Sequence, residues 1–223
     1  MNVNAETQPI KVVLVEDHPM FRERLAQLIN KDLQMMVCGE ADNILDAMRI
    51  IEEMKPDIAI VDITLSGSSG LELIKDLKAR NNEVPVLVLS MHDELLYAER
   101  ALRAGAKGYI TKNQASSQVK LAVQTVLGGD VYLSPQMTTR VLRRLSKGTP
   151  DMTVSGVASL TDRELEVFRL LGCGHNSREI AQELGLGDAT VNSYRFRIRE
   201  KLGIRNTAEL YNQAAQWVKE HGG

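Results

Sequence analysis

Residues 10–17 read IKVVLVED, and this stretch decides the fold. Its first six residues are almost wholly Val, Ile and Leu, without the alternation that a strand with one wet face would show. Such a run is typical of a strand that is buried on both faces of a parallel sheet. Two carboxylates, Glu16 and Asp17, follow at once. The stretch therefore predicts a buried strand that ends in negative charge.

Similar apolar runs recur along the first half of the chain. They are MMVC (35–38), IAIV (58–61), VLVL (86–89) and a shorter run at 109–110. Helical patterns separate them, at 19–30, 43–54, 70–80, 93–104 and 115–127. Strands that alternate with helices form a doubly wound parallel sheet with right-handed crossovers. We therefore predict an α/β domain with a five-stranded parallel sheet over residues 10–130, preceded by a tail at 1–9.

Chemically reactive side chains follow these strands. Glu16 and Asp17 follow the first strand, Asp62 the third, Ser90 the fourth and Lys112 the fifth. The carboxyl ends of parallel strands meet at one edge of the sheet, so these groups are expected to converge. Clustered carboxylates repel one another unless a cation lies among them, and oxygen ligands favour Mg²⁺. We predict a Mg²⁺ site where Asp62 attacks phosphorus while Ser90 and Lys112 hold the phosphoryl oxygens.

Taken singly, these residues have structural explanations. An Asp after a strand is more often a turn former or a helix cap than a nucleophile. Ser90 alone fits a helix cap, and Lys112 alone fits a solvated surface charge. Their joint occurrence at the ends of the strands is what favours a functional site.

The segments around these residues resemble the receiver domain of bacterial two-component response regulators. They are VLVEDHPMFR (13–22), VDITLSGSSGLEL (61–73), VLS (88–90) and AGAKGYITK (104–112), within a match that spans 10–129. The resemblance implies a flavodoxin-like fold in which Asp62 accepts a phosphoryl group from a sensor histidine kinase. It also implies that Glu16, Asp17, Asp62 and the backbone carbonyl of Thr64 bind the Mg²⁺.

Two further residues take roles from the same resemblance. Ser90 stands at the family's hydroxyl position, and Tyr109 stands at its aromatic switch position. The resemblance implies that phosphorylation draws Ser90 inward and lets Tyr109 turn toward the core. This movement would bias an equilibrium between two existing states.

Residues 131–158 have the composition of a linker that contains one short helix. Ser134 and Pro135 are an N-cap and first-turn proline, and the apolar residues after them share one helical face. The segment SKGTPDMTVSGVAS (146–159) then lacks apolar periodicity and is rich in Gly, Ser and Thr. It is predicted to be a flexible connection.

Residues 159–223 carry the pattern of a separate all-α domain with four helices. Three capping-box pairs, each a Thr or Asn followed three residues later by Glu, open helices. They are Thr161 with Glu164, Asn176 with Glu179, and Asn206 with Glu209. Gly185 and Gly187 supply a tight turn before a third helix at about 189–202. This is the pattern of a helix-turn-helix, whose second helix enters the major groove of DNA.

The segments LTDRELEVFRLL (160–171) and NSREIAQELGLGDATVNSYRFRIREKLGIRN (176–206) resemble the LuxR-type domain of the NarL/FixJ family. The resemblance places Asn192, Ser193 and Phe196 at base-contacting positions, although Phe196 stands where the family is normally polar. Its ring either packs on a thymine methyl group or tucks against a neighbour. The basic residues of the same helix are assigned to DNA as well, mainly to phosphates. They are Arg195, Arg197, Arg199 and Lys201.

The predicted fourth helix, at 207–218, resembles the dimer-forming helix of the family. Leu210, Ala214 and Trp217 would then contact a second copy of the chain. Packing in the domain's own core would use the same residues, so both interpretations stay open.

Charge and composition are consistent with two domains that have different partners. The net charge is −2, but residues 1–130 are acidic whereas Arg195, Arg197, Arg199, Lys201 and Arg205 crowd one stretch. The two cysteines have no metal-ligand spacing, and no apolar run approaches a membrane span. We expect a reduced, cytoplasmic protein with no membrane partner.

Together these features predict a phosphorylation-controlled transcriptional regulator. It would be no enzyme beyond its own phosphoryl transfer and dephosphorylation, and would bind promoter DNA as a homodimer when phosphorylated. Three alternatives remain at this point. They are a DNA-binding protein whose receiver is indifferent to phosphorylation, a doubly wound enzyme with a helical appendage, and a signalling adaptor that never touches DNA. The enzyme is disfavoured because no glycine-rich phosphate loop follows the first strand.

Overall fold

A computed structural model describes residues 8–65, 68–91, 94–146 and 156–221. The chain divides into two compact units, with the division between Pro135 and Gln136. Most of the predicted N-terminal tail, residues 1–7, lies outside the described residues, and so do residues 147–155 of the predicted linker. The predicted domain limits at 130 and 159 stay predictions.

The first unit alternates strands and helices in the predicted order. Its strands are β1 (Ile10–Val15), β2 (Met35–Ala41), β3 (Ile58–Val61), β4 (Thr64–Leu65), β5 (Ser68–Ser69), β6 (Val86–Ser90) and β7 (Gly108–Thr111). Its helices are α1 (Pro19–Asn30), α2 (Ile44–Met54), α3 (Gly70–Ala79), α4 (Glu94–Ala104) and α5 (Ala115–Leu127). These bounds agree closely with the apolar runs and helical patterns of the sequence. The short antiparallel hairpin of β4 and β5 was not predicted.

Five of the strands form one parallel sheet in the order β2-β1-β3-β6-β7. The sheet is a doubly wound, flavodoxin-like sheet, which confirms the predicted fold class. Its register pairs Val15 with Val61 and Ser90 with Thr111, so β1 ends level with β3 and β6 ends level with β7. β6 extends two residues beyond Val88, the partner of Val61. This alignment decides where the residues after each strand are placed.

Both faces of the sheet are buried, as the unbroken apolar runs require. Side chains of α1 and α5 cover one face, where they pack against strand residues such as Val12, Ile60 and Leu87. The alternate strand residues point to the opposite face. They include Val13, Val15, Ala59, Val61 and Val88, which are at most 1% exposed.

The second unit is helical. After α6 (Pro135–Ser146), which begins at the division, come a 3-10 helix (Gly156–Ser159), α7 (Asp162–Gly172), α8 (Ser177–Glu183), α9 (Asp188–Leu202) and α10 (Thr207–His221). Both halves of the predicted capping box are present at α7 and at α8. At α10, Asn206 accepts from the backbone N–H of Glu209 at 2.9 Å, but the Glu209 carboxylate accepts from Arg205 instead of from Asn206. Two of the three predicted boxes are therefore complete, and the third is partial.

Close helix packing forms the core of the second unit. A Cβ atom added at Gly172 of α7 would lie 2.4 Å from the backbone oxygen of Ala214 in α10. The rings of Phe168 and Trp217 meet edge to face with centroids 5.8 Å apart. α7 and α10 therefore approach closely because a glycine faces the second backbone. None of the described helices is long and apolar enough to cross a membrane.

Candidate functional site

The aligned strand ends bring the predicted pocket residues together. The backbone N–H of Asp62 donates to the carbonyl of Val15 at 2.9 Å, which ties the end of β3 to the end of β1. The N–H of Lys112 donates to the carbonyl of Ser90 at 2.8 Å, which ties the residue after β7 to the end of β6. The side chains of Glu16, Asp62, Ser90 and Lys112 are all buried. We call Glu16, Asp17, Asp62 and Lys112 the acidic pocket.

Lys112 is the centre of the acidic pocket. Its Nζ atom lies 2.7 Å from Oδ2 of Asp62 and 2.6 Å from Oε2 of Glu16. The three side chains are only 3–5% exposed, so these ion pairs are shielded from water. The ammonium group also lies 4.6 Å from the ring centroid of Phe21, a contact that the sequence did not predict. Lys112 is therefore a partner of the carboxylates and not the solvated charge of the structural alternative.

The pKa values of Asp62 and Lys112 are both raised, for different reasons. Burial raises the pKa of Asp62 to about 6, against the attraction of Lys112 and with the added repulsion of Glu16. Burial by itself would lower the pKa of Lys112, but Asp62 and Glu16 raise it by more, so the net shift is upward. Lys112 thus stays charged, while Asp62 is ionised only above mildly acidic pH.

Four residues are placed so that they could hold a metal ion. They are Glu16, Asp17, His18 and Asp62, and one potential ligand atom from each lies within 4.8 Å of the others. The acidic pocket holds three carboxylates and one ammonium group, and the ionised carboxylates leave a net charge of −2 that a divalent cation would balance. Carboxylate oxygens suit a hard cation such as Mg²⁺. The chemistry of the donor set therefore fits the implied metal.

His18 is a member of this cluster that the sequence pattern did not predict. Its Nδ1 atom lies 2.8 Å from Oδ1 of Asp17 and 3.1 Å from Oε1 of Glu16. Its position directly after the carboxylate pair was the available signal. Thr64, whose carbonyl was predicted as a ligand, lies at the start of β4, and its N–H donates to Oδ1 of Asp62 at 3.3 Å. This bond fixes the loop after Asp62 beside the pocket.

Gly70 and Tyr109 also belong to the surroundings of the acidic pocket. Gly70 has to be glycine, because a Cβ atom there would lie 1.9 Å from the backbone oxygen of Asp62. Tyr109 is 1% exposed. Burial raises the pKa of its phenol, and a hydrogen bond to Ser90 acts in the opposite direction. Tyr109 thus already occupies the inward position that the resemblance assigns to the phosphorylated state.

The second predicted site lies on α9. Five of its seven predicted DNA-binding residues are exposed. One of the five, Lys201, forms an ion pair, and the other four are Asn192, Ser193, Phe196 and Arg197. We call these four residues the exposed face of α9. Phe196 is 62% exposed, so its ring does not tuck into the domain core. The ring is therefore open to contact from outside the domain.

The other three predicted DNA-binding residues have partners within their own domain. Arg195 donates to Oγ of Ser177 at 2.6 Å, and Arg199 donates to the carbonyl of Arg205 at 2.8 Å. Lys201 pairs with Oε2 of Glu164 at 2.6 Å, across to the capping box of α7. Sequence position alone did not reveal Ser177 and Glu164 as partners, because both lie in other helices far from α9 in the sequence. The phosphate contacts assigned to these three residues stay a prediction.

The predicted dimer residues take part in the core of the monomer. Leu210 and Ala214 are fully buried, and Trp217 is half-buried against Phe168. The structure thus favours the alternative that these residues serve internal packing. A dimer through the exposed side of α10 stays a prediction.

Two family models match the chain, and they coincide with the two sites. The receiver domain of response regulators matches residues 12–124, and the luxR family of bacterial regulatory proteins matches residues 158–214. Response regulator GacA of Pseudomonas aeruginosa is 32% identical over 201 residues, which cover 90% of this chain and 93% of GacA. Response regulator UvrY of Escherichia coli is 31% identical over 205 residues, which cover 92% and 93%.

Solved structures show the same architecture. A LuxR-family two-component response regulator from Aurantimonas sp. is 30% identical with a TM-score of 0.57, covering 62% of this chain and 99% of the other. RcsB from Salmonella enterica, solved on promoter rprA with a phosphomimetic, has a TM-score of 0.58 over 93% of this chain and 98% of its own. At 22% identity, RcsB shows a likeness of fold alone. The chain belongs to the response regulators of the NarL/FixJ family, with a receiver domain followed by a LuxR-type DNA-binding domain.

Proposed function

We propose that Asp62 accepts a phosphoryl group from a sensor histidine kinase and thereby controls binding of promoter DNA by α9. The observation that carries this proposal is the position of Lys112 between Asp62 and Glu16, at distances of 2.7 and 2.6 Å. A buried cation in direct contact with a carboxylate nucleophile is suited to hold the oxygens of a group transferred to that carboxylate. We place this exchange in the cytoplasm, where ATP-dependent kinases and DNA meet.

The transfer balances as a simple displacement. An Oδ atom of Asp62 forms a bond to phosphorus as the bond between phosphorus and the kinase's histidine nitrogen breaks. The electron pair of that broken bond stays on the imidazole ring, which needs no proton from this chain. Lys112 would exchange its contact with Asp62 for one with a phosphoryl oxygen, and the hydroxyl of Ser90 would donate to another.

Glu16, Asp17 and Asp62 would hold the Mg²⁺, with the carbonyl of Thr64 as the fourth protein ligand. When bound, the metal would neutralise part of the charge on the phosphoryl group. In the metal-free protein, the raised pKa keeps a fraction of Asp62 protonated near neutral pH. This protonation reduces the repulsion among the buried carboxylates.

The exposed face of α9 is the proposed DNA contact. Asn192, Ser193 and Phe196 would meet base edges in the major groove, and Arg197 would meet a phosphate. We propose that phosphorylation favours a homodimer on two half-sites. Arg195, Arg199 and Lys201 bind partners within their own domain, so we propose that their main role is to hold α9 in place. Contacts with phosphates would be a secondary role.

Intact-mass measurement tests the acceptor. Incubation of the full chain with acetyl phosphate and Mg²⁺ should add one phosphoryl group, and EDTA or Asp62→Asn should abolish the addition. Asp57→Asn, an exposed acid near the opposite ends of the strands, is the matched control and should still be labelled. An unlabelled wild-type protein that also fails to bind beryllofluoride would contradict the switch and leave phosphorylation-independent DNA binding.

The proposed DNA binding is tested by measuring the affinity of the full chain for promoter DNA at several salt concentrations. Real phosphate contacts must weaken as salt rises, so the observed binding constant should fall on a log–log plot. Binding that does not depend on salt, or no binding in either state, would support the adaptor instead.

A further inference from the structure

The hydrogen-bond network around Asn192 determines which atoms of that side chain can reach DNA. This argument rests on the proposed contact of α9 with base edges. Asn192 lies near the start of α9, and Ser177 is the first residue of α8. Arg195 extends from the next turn of α9 toward both of them, and its guanidinium carbon lies 5.6 Å from the ring centroid of Tyr211 in α10.

Two donors converge on one atom of Asn192. Nη1 of Arg195 donates to Oγ of Ser177 at 2.6 Å and to Oδ1 of Asn192 at 3.4 Å. The hydroxyl of Ser177, its own oxygen occupied by the arginine, donates to the same Oδ1 at 3.2 Å. A carbonyl oxygen has two lone pairs, and this network engages both.

Chemistry fixes the orientation of the amide. A guanidinium group can only donate, so the Asn192 atom that faces Arg195 has to be the oxygen and not the nitrogen. The opposite orientation would place two donors against each other. The NH₂ group therefore points away from Arg195, and no hydrogen bond joins it to another residue in the described part of the chain. Asn192 is exposed, so this group is available to a ligand.

We propose that Asn192 acts as a donor-only reader and selects a keto base, guanine or thymine, at the position that it contacts. Guanine presents O6 and N7 in the major groove and thymine presents O4, all of which are acceptors. An asparagine that reads adenine needs its oxygen to accept from N6 and its nitrogen to donate to N7. Here the oxygen is engaged, so the amino bases adenine and cytosine lose a partner for their N–H groups. Arg195 and Ser177 are thus positioning residues, which orient the Asn192 amide and so determine the base that it prefers.

The test is binding-site selection with the beryllofluoride-activated full chain and a random-sequence duplex library. The position that Asn192 reads is the one whose base preference disappears in Asn192→Ala. We expect guanine or thymine there, favoured over adenine by about tenfold, since a good base contact discriminates by roughly 1–3 kcal/mol. A wild-type preference for adenine, or an Asn192→Ala variant that keeps every preference, would overturn the proposal.

Two variants then test the network itself. Arg195→Met removes the charged donor, and Ser177→Ala removes the hydroxyl donor together with the hydrogen bond that it accepts from Arg195. Either change frees one lone pair of Oδ1, which can then accept from N6 of adenine, so adenine should gain at least threefold relative to guanine at that one position. Arg197→Met is the matched control, because this exposed arginine lies outside the network and should weaken all sequences equally. If Arg195→Met behaved like Arg197→Met, Arg195 would be a phosphate contact and the proposal would be wrong.

The wild-type selection makes the proposal testable even if a variant fails to fold, and Trp217 fluorescence reports the folding of each variant. Failure of the proposed function would look different. The activated wild-type protein would then enrich no sequence at all, whereas failure of this inference leaves an enriched site with the wrong base.

Discussion

The acidic pocket and helix α9 hold their charges in opposite environments. In the pocket, Lys112 and its carboxylate partners are buried at the sheet edge. On α9, Arg197 is exposed, and Lys201 is 36% exposed although it pairs with a carboxylate. Burying charged groups in the pocket lowers the free energy of unfolding, whereas Arg197 and Lys201 stay in contact with water. The difference teaches that burial, and not the number of ion pairs, determines how strongly a charged residue affects the fold.

Removal of one lysine from each region should give the largest contrast. Lys112→Met leaves two buried carboxylates without their cation and should lower the free energy of unfolding of the first unit by about 3–5 kcal/mol. Lys201→Met removes a lysine that is 36% exposed, and the buried Glu164 carboxylate that it leaves still accepts from the backbone N–H of Thr161. The second unit should therefore lose only about 1 kcal/mol. Hydrogen-exchange mass spectrometry can follow peptides of β1 and of α7 separately. Equal losses in the two variants would break the comparison.

The second prediction concerns the cost of the acidic pocket itself. Asp62 has a raised pKa of about 6 in the folded chain, so folding is favoured by its protonation. The stability from this group is complete below pH 4 and is lost as pH rises through about 6. Asp62→Asn should therefore stabilise the metal-free first unit at pH 8 by up to about 3 kcal/mol, at roughly 1.4 kcal/mol per pKa unit, and not at pH 4.

Urea unfolding in EDTA at the two pH values checks this sign. Asp130→Asn, at an exposed acid, is the control and should change stability little at either pH. Added Mg²⁺ should reduce the advantage of Asp62→Asn, because the metal offsets the repulsion. A variant that is less stable than wild type at pH 8 would show that Asp62 supports the fold.

The smallest of the three effects is expected where α10 meets α7. Gly172→Ala places a Cβ atom 2.4 Å from the backbone of Ala214, so the helices must separate, at a cost of about 2 kcal/mol. Gly187→Ala is the control, since its Cβ would meet its nearest neighbour at 3.9 Å and its φ of −84° suits alanine. Trp217, the single tryptophan, packs on Phe168 and reports unfolding. Full tolerance of Gly172→Ala would revive a dimer role for Leu210 and Ala214.

Much of the acidic pocket could be predicted because backbone topology placed it. The residues after parallel strands meet at one edge whatever their side-chain rotamers, so Glu16, Asp62 and Lys112 could be assigned from their positions alone. The capping boxes at α7 and α8 could be predicted for a similar reason, since both partners lie within one turn. His18 and Phe21 could not, because their contacts depend on how α1 packs over the strand ends.

The sequence by itself determined the five-stranded parallel sheet, the helical second domain and the convergence of three carboxylates and a lysine at one edge of the sheet. These follow from local periodicity and from the geometry of parallel strands, which short stretches of chain encode. Only the tertiary structure decided that Arg195 lies against Ser177, that Lys201 pairs with Glu164 and that Leu210 is buried. Such contacts join residues that are distant in sequence, so local patterns do not encode them. A long side chain also has several rotamers, and its packed neighbours determine which one it adopts.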